Sequence, residues 1–500
     1  MRKFFRLLFS RFSLMFFVIL LQVALAIAIT FYFSNYYRIA SIVSTSLAAL
    51  VLLAIINRDM GSDTKLPWCI LVALVPIVGF VLYLCFSRNY ASKSEIKMFA
   101  KLPQTKLAED NPVAPKKYLG QIEYLKNMGA PAFTQTDTRY FASGELFLGD
   151  YLTELSNAKK YIFLEYFIVE HGKMLDSILE VLKAKVAEGV EVRLLYDDFG
   201  SLTHTKSSFC NEIRNLGIKC EKFAKMRPIV SAMYNNRDHR KITVIDGKVG
   251  YMSGFNLADE YINHTHPFGY WKDSGVKLIG NAVSSLVIMF LQMYDMAAKK
   301  TEDFEQYVCS TTNASIVDKG IVVPFGDGPR PIYKEQIARN VYLNLINQAE
   351  TDLFITTPYL ITDDTVTDAL CRAARRGVNV SVVIPKIPDK KYVYAMTKQS
   401  CQKLANSGVN VYTFTAGFIH AKSIVADGVA GVVGTINLDY RSFVHHYECG
   451  TYMYGTLAVK QLYDDVSTLV LHCELQKDAP KLHLWEKIIC AFANVFRPLI

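Results

Sequence analysis

Five hundred residues are more than one hydrophobic core usually holds, so the chain is expected to fold as several domains. Half the residues are apolar (51%), and the surplus sits at the N-terminus, which excludes an ordinary soluble single-domain enzyme. A formal net charge of +9 suits an anionic partner, lipid or nucleic acid, without choosing between them.

Residues 1–90 carry three apolar runs, at 13–33, 39–56 and 66–86. Each is long enough to cross about 30 Å of hydrocarbon, so the segment is predicted to be a transmembrane region. The first run has no charge and is too long for a signal peptide. Orientation is a tie. Arg2, Lys3, Arg6 and Arg11 argue for a cytoplasmic N-terminus, while Arg88, Lys93, Lys97, Lys101 and Lys106 argue for a cytoplasmic domain after the third run. Three full spans cannot satisfy both, so one segment is re-entrant or interfacial, or one cluster is overruled. Residues 91–120 are polar and basic and read as a linker near the membrane surface.

From 121 to 300 strand-like and helix-like stretches alternate. Tyr161 to Val169 (YIFLEYFIV) reads as a buried strand, Met174 to Glu188 as an amphipathic helix, and Gly189-Val190-Glu191-Val192 opens the next strand. That alternation implies βαβ units and a parallel-rich sheet, an α/β fold. Residues 301–338, with Pro324-Phe325-Gly326-Asp327-Gly328-Pro329, read as a turn-rich connector, and 339–500 as a second half. The second half repeats the first. AETDLFI at 349–355 matches AKKYIFL at 158–164, and Gly377-Val378-Asn379-Val380 matches Gly189-Val190-Glu191-Val192. Two copies mean duplicated halves rather than a solenoid, packed about a pseudo-twofold axis.

The chemistry sits in one duplicated stretch. HRKITVID at 239–246 and HAKSIVAD at 420–427 both read H-x-K-x4-D, and each leads to a small-residue turn ending in Asn, Ser253-Gly254-Phe255-Asn256 and Gly434-Thr435-Ile436-Asn437. Alternate side chains of a strand share a face, so His239 points with Lys241 and His420 with Lys422. Each copy offers an imidazole, an ammonium and an amide at one point. That set suits a phosphodiester: Lys and Asn donate to the non-bridging oxygens, and His attacks or shuttles a proton. Asp246 and Asp427 orient the motif strands rather than touch phosphate.

This duplicated motif resembles that of the phospholipase D superfamily. The run Asn437-Leu438-Asp439-Tyr440-Arg441-Ser442-Phe443 is similar to that of the bacterial cardiolipin synthases. The resemblance implies that an acid at the place of Asp273, and of Glu448 in the second half, accepts a hydrogen bond from the motif His and fixes its tautomer. It also implies a cytoplasmic catalytic domain, a multi-pass protein of the cell membrane, and phosphatidylglycerol in anionic membrane as the partner. Implied site residues are His239, Lys241, Asp246, His420, Lys422 and Asp427, with Asn256, Asn437, Ser253 and Thr435 around the phosphate. No cofactor, metal or nucleic acid is expected. The chain has no G-x4-G-K-[ST] loop, and His445 and His446 lack an acidic cluster and read as surface or supporting histidines.

The chemistry implied is two displacements: one His attacks the phosphorus of a first phosphatidylglycerol while the other protonates glycerol, and a second phosphatidylglycerol then takes the phosphatidyl group. A phospholipase D hydrolase, or a transphosphatidylase using phosphatidylethanolamine or another alcohol, is the alternative. A nuclease of the same superfamily is disfavoured by the apolar runs, and a scaffold without activity by two complete motifs. The ten Cys are scattered, with no C-x2-C pair, as reduced thiols would be. Leu484, Trp485, Ile488, Ile489, Phe492, Val495, Phe496 and Leu499 recur at helical spacing, an amphipathic C-terminal helix for the membrane surface or the protein core.

Overall fold

The computed structural model describes residues 24, 27–28, 37–58, 62–87, 90–225, 235–309, 316–476 and 482–495. The first apolar run apart from residues 24 and 27–28, the basic N-terminus and the last five residues lie outside these.

Two mixed sheets carry the fold. The first is built from β1 (Thr136–Phe141), β2 (Tyr161–Tyr166), β3 (Glu191–Asp197), β4 (Lys219–Phe223), β5 (Ile242–Ile245), β6 (Val249–Ser253) and β8 (Gly275–Gly280), in the order β1-β8-β6-β5-β2-β3-β4. A short strand, β7 (Tyr270–Lys272), stands apart. In the second half, β9 (Ile321–Asp327), β10 (Asp352–Thr356), β12 (Asn379–Pro385), β13 (Asn410–Phe414), β15 (Ser423–Ala426), β16 (Ala430–Gly434) and β18 (Glu448–Tyr454) repeat that order strand for strand. A two-residue strand, β19 (Glu474–Leu475), is added beside β13. Strands β11 (Leu360–Ile361), β14 (Gly417–Ile419) and β17 (Leu438–Asp439) form small ladders outside the sheets, with β14 pairing β7 across the halves.

The βαβ alternation predicts parallel-rich sheets, and the structure is mixed. β2, β3 and β4 run parallel, but β5, β6, β8 and β1 pair antiparallel. The local cause is Asp246-Gly247, which takes left-handed backbone (φ 53° and 66°) and closes the β5–β6 hairpin; Asp427-Gly428 repeats it with the same angles. Asp-Gly is a strong hairpin signal, and it is embedded in the motif itself.

Helices flank both sheets. Gly144–Asn157 and Lys173–Ala187 bury Phe147, Leu155, Ile178 and Leu182 on the first sheet, and Ile337–Gln348 and Asp364–Arg375 bury Val341, Leu345, Val366 and Leu370 on the second. Between the sheets a shared core joins Phe163, Met252 and Val276 of the first half to Val425, Val433 and Met453 of the second. The halves therefore bury their inner faces against each other, the condition for one site between them.

Three expectations need correction. Residues 321–327, placed in the connector, form β9 of the second sheet. Among the described residues β9 has β18 as its one neighbour in the sheet and meets only a single bridge, Val322 with Phe133, on its other side; such an edge strand tolerates Pro324, whose missing N–H is not needed there. The basic linker is docked: helix Lys93–Phe99 starts with a Ser92/Glu95 capping box, and helix Lys116–Asn127 sinks Tyr118, Ile122 and Leu125 into the second half's core. The run at 66–86 is broken into helices Ser62–Leu74 and Pro76–Phe86, because Pro76 pushes Val75 out of helical backbone. The run at 39–56 is one helix, Tyr37–Asn57. Among the described residues no helix is long and apolar enough to cross a membrane. The C-terminal helix Leu484–Val495 buries Cys490 and Ala493 beside Ile361, Ala395 and Met396, and leaves Leu484, Trp485 and Ile488 exposed.

Candidate active site

Each motif histidine stands just before a central strand, β5 or β15, where the chain is pinned by the other half. The His239 N–H donates to the Tyr447 carbonyl at 2.9 Å, and the His420 N–H donates to the Lys272 carbonyl at 2.7 Å. Tyr447 precedes Glu448 and Lys272 precedes Asp273, so the same crossing brings each acid to the opposite imidazole. Glu448 holds His239, with Nδ1 3.0 Å from both carboxylate oxygens, and Asp273 holds His420, with Nδ1 2.6 Å from Oδ2. Each acid thus serves the histidine of the other half. With Nδ1–H given to a carboxylate, Nε2 is the nitrogen left for chemistry.

The lysines lie as strand alternation predicts. Lys241 Nζ donates to the His239 carbonyl at 2.6 Å, and Lys422 Nζ to the His420 carbonyl. All four side chains are buried. Burial pushes His239 well below the ordinary imidazole value, and Lys241, Lys422, His420 and Lys390 push it the same way. Burial, then Lys422, brings His420 down to about 4 against the opposing pull of Asp273. Burial lowers Lys241 to about 8 although Glu448 and Asp273 oppose it. Lys422 falls to about 7, again chiefly by burial, with Asp273 opposing and Lys241 adding to the fall. His239 feels Lys422, and Lys422 feels Glu448: the two motifs share one electrostatic site.

The remaining predicted residues divide. Thr435 donates its hydroxyl to Glu448 Oε2. Its counterpart in the repeat is Gly254 rather than Ser253, and a Cβ at Gly254 would collide with the Asp273 carboxylate. Ser253 sits in β6 and donates its N–H to the Lys241 carbonyl at 3.2 Å. Asn256 is engaged on both sides, accepting from the Ile168 N–H at 3.0 Å and donating to the Tyr261 hydroxyl at 2.6 Å. Asn437 differs: its Oδ1 is buried without a hydrogen-bond partner. Asp246 and Asp427 lie at the far ends of the motif strands. Asp246 accepts the N–H groups of Lys159, Lys160 and Tyr161, and Asp427 those of Glu350, Thr351 and Asp352. They tie the hairpin to the start of β2 or β10, and neither reaches the imidazoles.

Residues not singled out from sequence line the site. Phe167 packs against His239, and Tyr261 and Trp271 pack against His420. A cleft bounded by Tyr359, Asp389, Lys390, Tyr394 and Phe418 opens beside them. The repeat register could have pointed to Trp271, which stands two residues before Asp273 as His446 stands two before Glu448. His239, His446 and Glu448 bring one donor atom each within 4.8 Å of one another, a spacing a metal ion could use. Lys241, Lys422, Lys390 and Arg441 surround the trio. Their field opposes a divalent cation and favours a phosphate. Two imidazoles on one face of a cationic, buried site can perform in-line displacement at phosphorus, one as nucleophile and one as acid–base.

The comparisons agree with this geometry. Residues 151–270 and 342–469 match the family "Cardiolipin synthase, PLD-like domain", and residues 46–88 match "Phospholipase_D-nuclease N-terminal". An uncharacterised protein of Streptococcus mutans is 41% identical over 81% of this chain and 89% of its own length. Cardiolipin synthases of Oceanobacillus iheyensis and Alkalihalophilus pseudofirmus are 33% and 31% identical, covering 83% and 98% of this chain and 89% and 100% of their own. Among solved structures, the phosphatidylserine synthase of Haemophilus influenzae superposes with a TM-score of 0.58 at 14% identity over 76% of this chain and 98% of that one, a likeness of fold. Duplicated motif, crossed acid–imidazole pairs and relatives matched over most of the chain converge: the protein belongs to the bacterial cardiolipin synthases of the phospholipase D superfamily.

Proposed function

We propose that this chain is a phosphatidyltransferase that makes cardiolipin and glycerol from two phosphatidylglycerol molecules. The observation that carries the reading is the pair of buried imidazoles, each fixed through Nδ1 by an acid of the other half, with Lys241 and Lys422 beside them. In the first step His239 Nε2 attacks phosphorus, the bond to the glycerol headgroup breaks, and His420 gives its proton to the departing oxygen. In the second, the headgroup hydroxyl of another phosphatidylglycerol attacks the phosphohistidine, His420 takes its proton, and the P–N bond breaks. One phosphodiester replaces another, so no nucleotide is consumed. Lys241, Lys422 and Asn437 stabilise the equatorial oxygens, an effect worth several kcal/mol where water is excluded. Asp246 and Asp427 hold the motif hairpins.

The substrate is a membrane lipid, and the N-terminal helices are assigned to the bilayer with the catalytic halves on its cytoplasmic side. The outward Ile42, Leu50, Leu53, Leu66 and Leu74 support the assignment of these helices to the bilayer. Thr64, whose hydroxyl lies 2.7 Å from that of Tyr440 in the Asn437–Phe443 run, joins these helices to the site's rim.

The test is full-length protein in phosphatidylglycerol vesicles without divalent metal or CDP-activated lipid, with products read by mass spectrometry. Cardiolipin and glycerol in equal amounts are expected. Phosphatidic acid in place of cardiolipin would make the enzyme a hydrolase.

A further inference from the structure

The crossed pairs are alike in geometry and unlike in chemistry. Trp271 lies against His420 with ring centres 5.3 Å apart at 42°, and His446 lies against His239 at the same 5.3 Å and 42°. The two occupy matching places in the repeat, but Trp271 cannot titrate or accept a proton, whereas His446 is a second imidazole. Its Nδ1 stands 3.4 Å from Glu448 Oε1, the oxygen that His239 Nδ1 meets at 3.0 Å, close enough for an ion pair though not aligned as a hydrogen bond. The other Glu448 oxygen already takes the Thr435 hydroxyl. Asp273 instead gives Oδ2 to His420 and Oδ1 to the Ser274 N–H. Glu448 is therefore drawn on by three side chains, and Asp273 by one.

From this inequality we infer that His446 is a positioning residue for His239: by sharing Glu448 it loosens the carboxylate's hold on the His239 Nδ1–H and keeps His239 the less basic imidazole of the pair. The inference rests on the two-histidine transfer proposed above and adds the residue that separates the two roles. A carboxylate hydrogen-bonded to one imidazolium stabilises its charge, and a second donor on the same oxygen weakens that effect. The less basic imidazole stays neutral to attack phosphorus, and the other carries the proton. The charged groups that face this network are Lys241, Lys422, Lys390 and His420 toward His239, and Arg441 toward His446. A change at His446 leaves all of them in place.

The experiment is kcat/KM against pH for full-length wild type, His446→Asn and His446→Phe on phosphatidylglycerol vesicles. The acid limb reports the imidazole that must begin neutral. His446→Phe withdraws the donor from Glu448, so the His239 imidazolium is better held and the acid limb moves up by roughly half a pH unit. His446→Asn keeps an N–H toward Glu448, and its limb stays with the wild type. The pair His446→Gln and His446→Leu asks the same question with aliphatic packing and covers a folding failure of the Phe variant. Limbs that coincide in all variants, or that move equally with and without a donor, overturn the inference while wild-type cardiolipin formation stands. A wild type that forms no cardiolipin overturns the transfer reading and this inference together.

Discussion

Glu448 belongs to the second half and holds the Nδ1 of His239 in the first, while Asp273 of the first half holds His420 of the second at 2.6 Å. Neither half supplies both a motif imidazole and the acid that holds it. Separation of the halves would leave each motif imidazole without its acid.

The crossing predicts how mutations combine. Asp273→Asn and Glu448→Gln should each lower kcat by roughly 10²–10⁴, the range of a lost acid–base partner, with the melting temperature little changed. In a His420→Ala background, Asp273→Asn should take away little more, because its partner is already gone. Glu448→Gln in the same background should multiply the loss. Steady-state rates of the singles and doubles decide it, and the reverse pattern would mean pairing within each half.

Asp246 and Asp427 should separate stability from chemistry. Each carboxylate caps three backbone N–H groups at the start of a central strand and itself sits in left-handed backbone. Asp246→Asn keeps a side chain at ease in that conformation but loses charge-assisted bonds, so about 1–3 kcal/mol of stability should go. Asp246→Ala should cost more, since Ala is also strained at positive φ. Activity per folded molecule should stay close to wild type in Asp246→Asn, as read by thermal unfolding alongside kcat.

What the sequence makes legible is local. His-x-Lys spacing places two side chains on one face of a strand, and both lysines lie where that spacing puts them. The Asp-Gly pair that follows each motif strand was equally local, and it explains the antiparallel pairing that helix–strand alternation alone misses. Pro324 and Gly326 read as turn because an edge strand that needs no N–H looks the same as a turn in composition. The partnership of Asp273 with His420 is invisible along the chain, since it arises from packing two halves. The repeat does align Trp271 with His446, but only the ring geometry shows that the substitution falls against a reacting imidazole.

The alkaline side of the pH profile should belong to the lysines. Burial holds Lys422 at about 7 and Lys241 at about 8, and only their charged forms neutralise phosphate. Their contribution is present below these values and lost as pH rises through them, so kcat/KM should fall above neutrality. Lys422→Arg, whose guanidinium stays charged, should lower the maximum by misplacing its donors and yet push the alkaline limb to higher pH. Initial rates across the neutral-to-alkaline range check both.

Lys422 should also weaken the fold it serves. Its ordinary value of 10.5 drops to about 7 on folding, so the unfolded chain holds the proton more tightly than the native one. The sign follows: the charged lysine costs stability that is fully lost below the native value, and the cost fades as pH climbs toward the unfolded value. Lys422→Met keeps the aliphatic stem and removes the buried charge, at the expense of the bond to the His420 carbonyl. Relief of a buried charge should exceed that lost bond, for a net gain of about 1–3 kcal/mol at slightly acid pH. Above the unfolded value the same variant should show no gain or a slight loss. Melting temperatures of wild type and Lys422→Met at acid and strongly alkaline pH decide the matter: a difference independent of pH would mean that the lysine charge is not what strains the site.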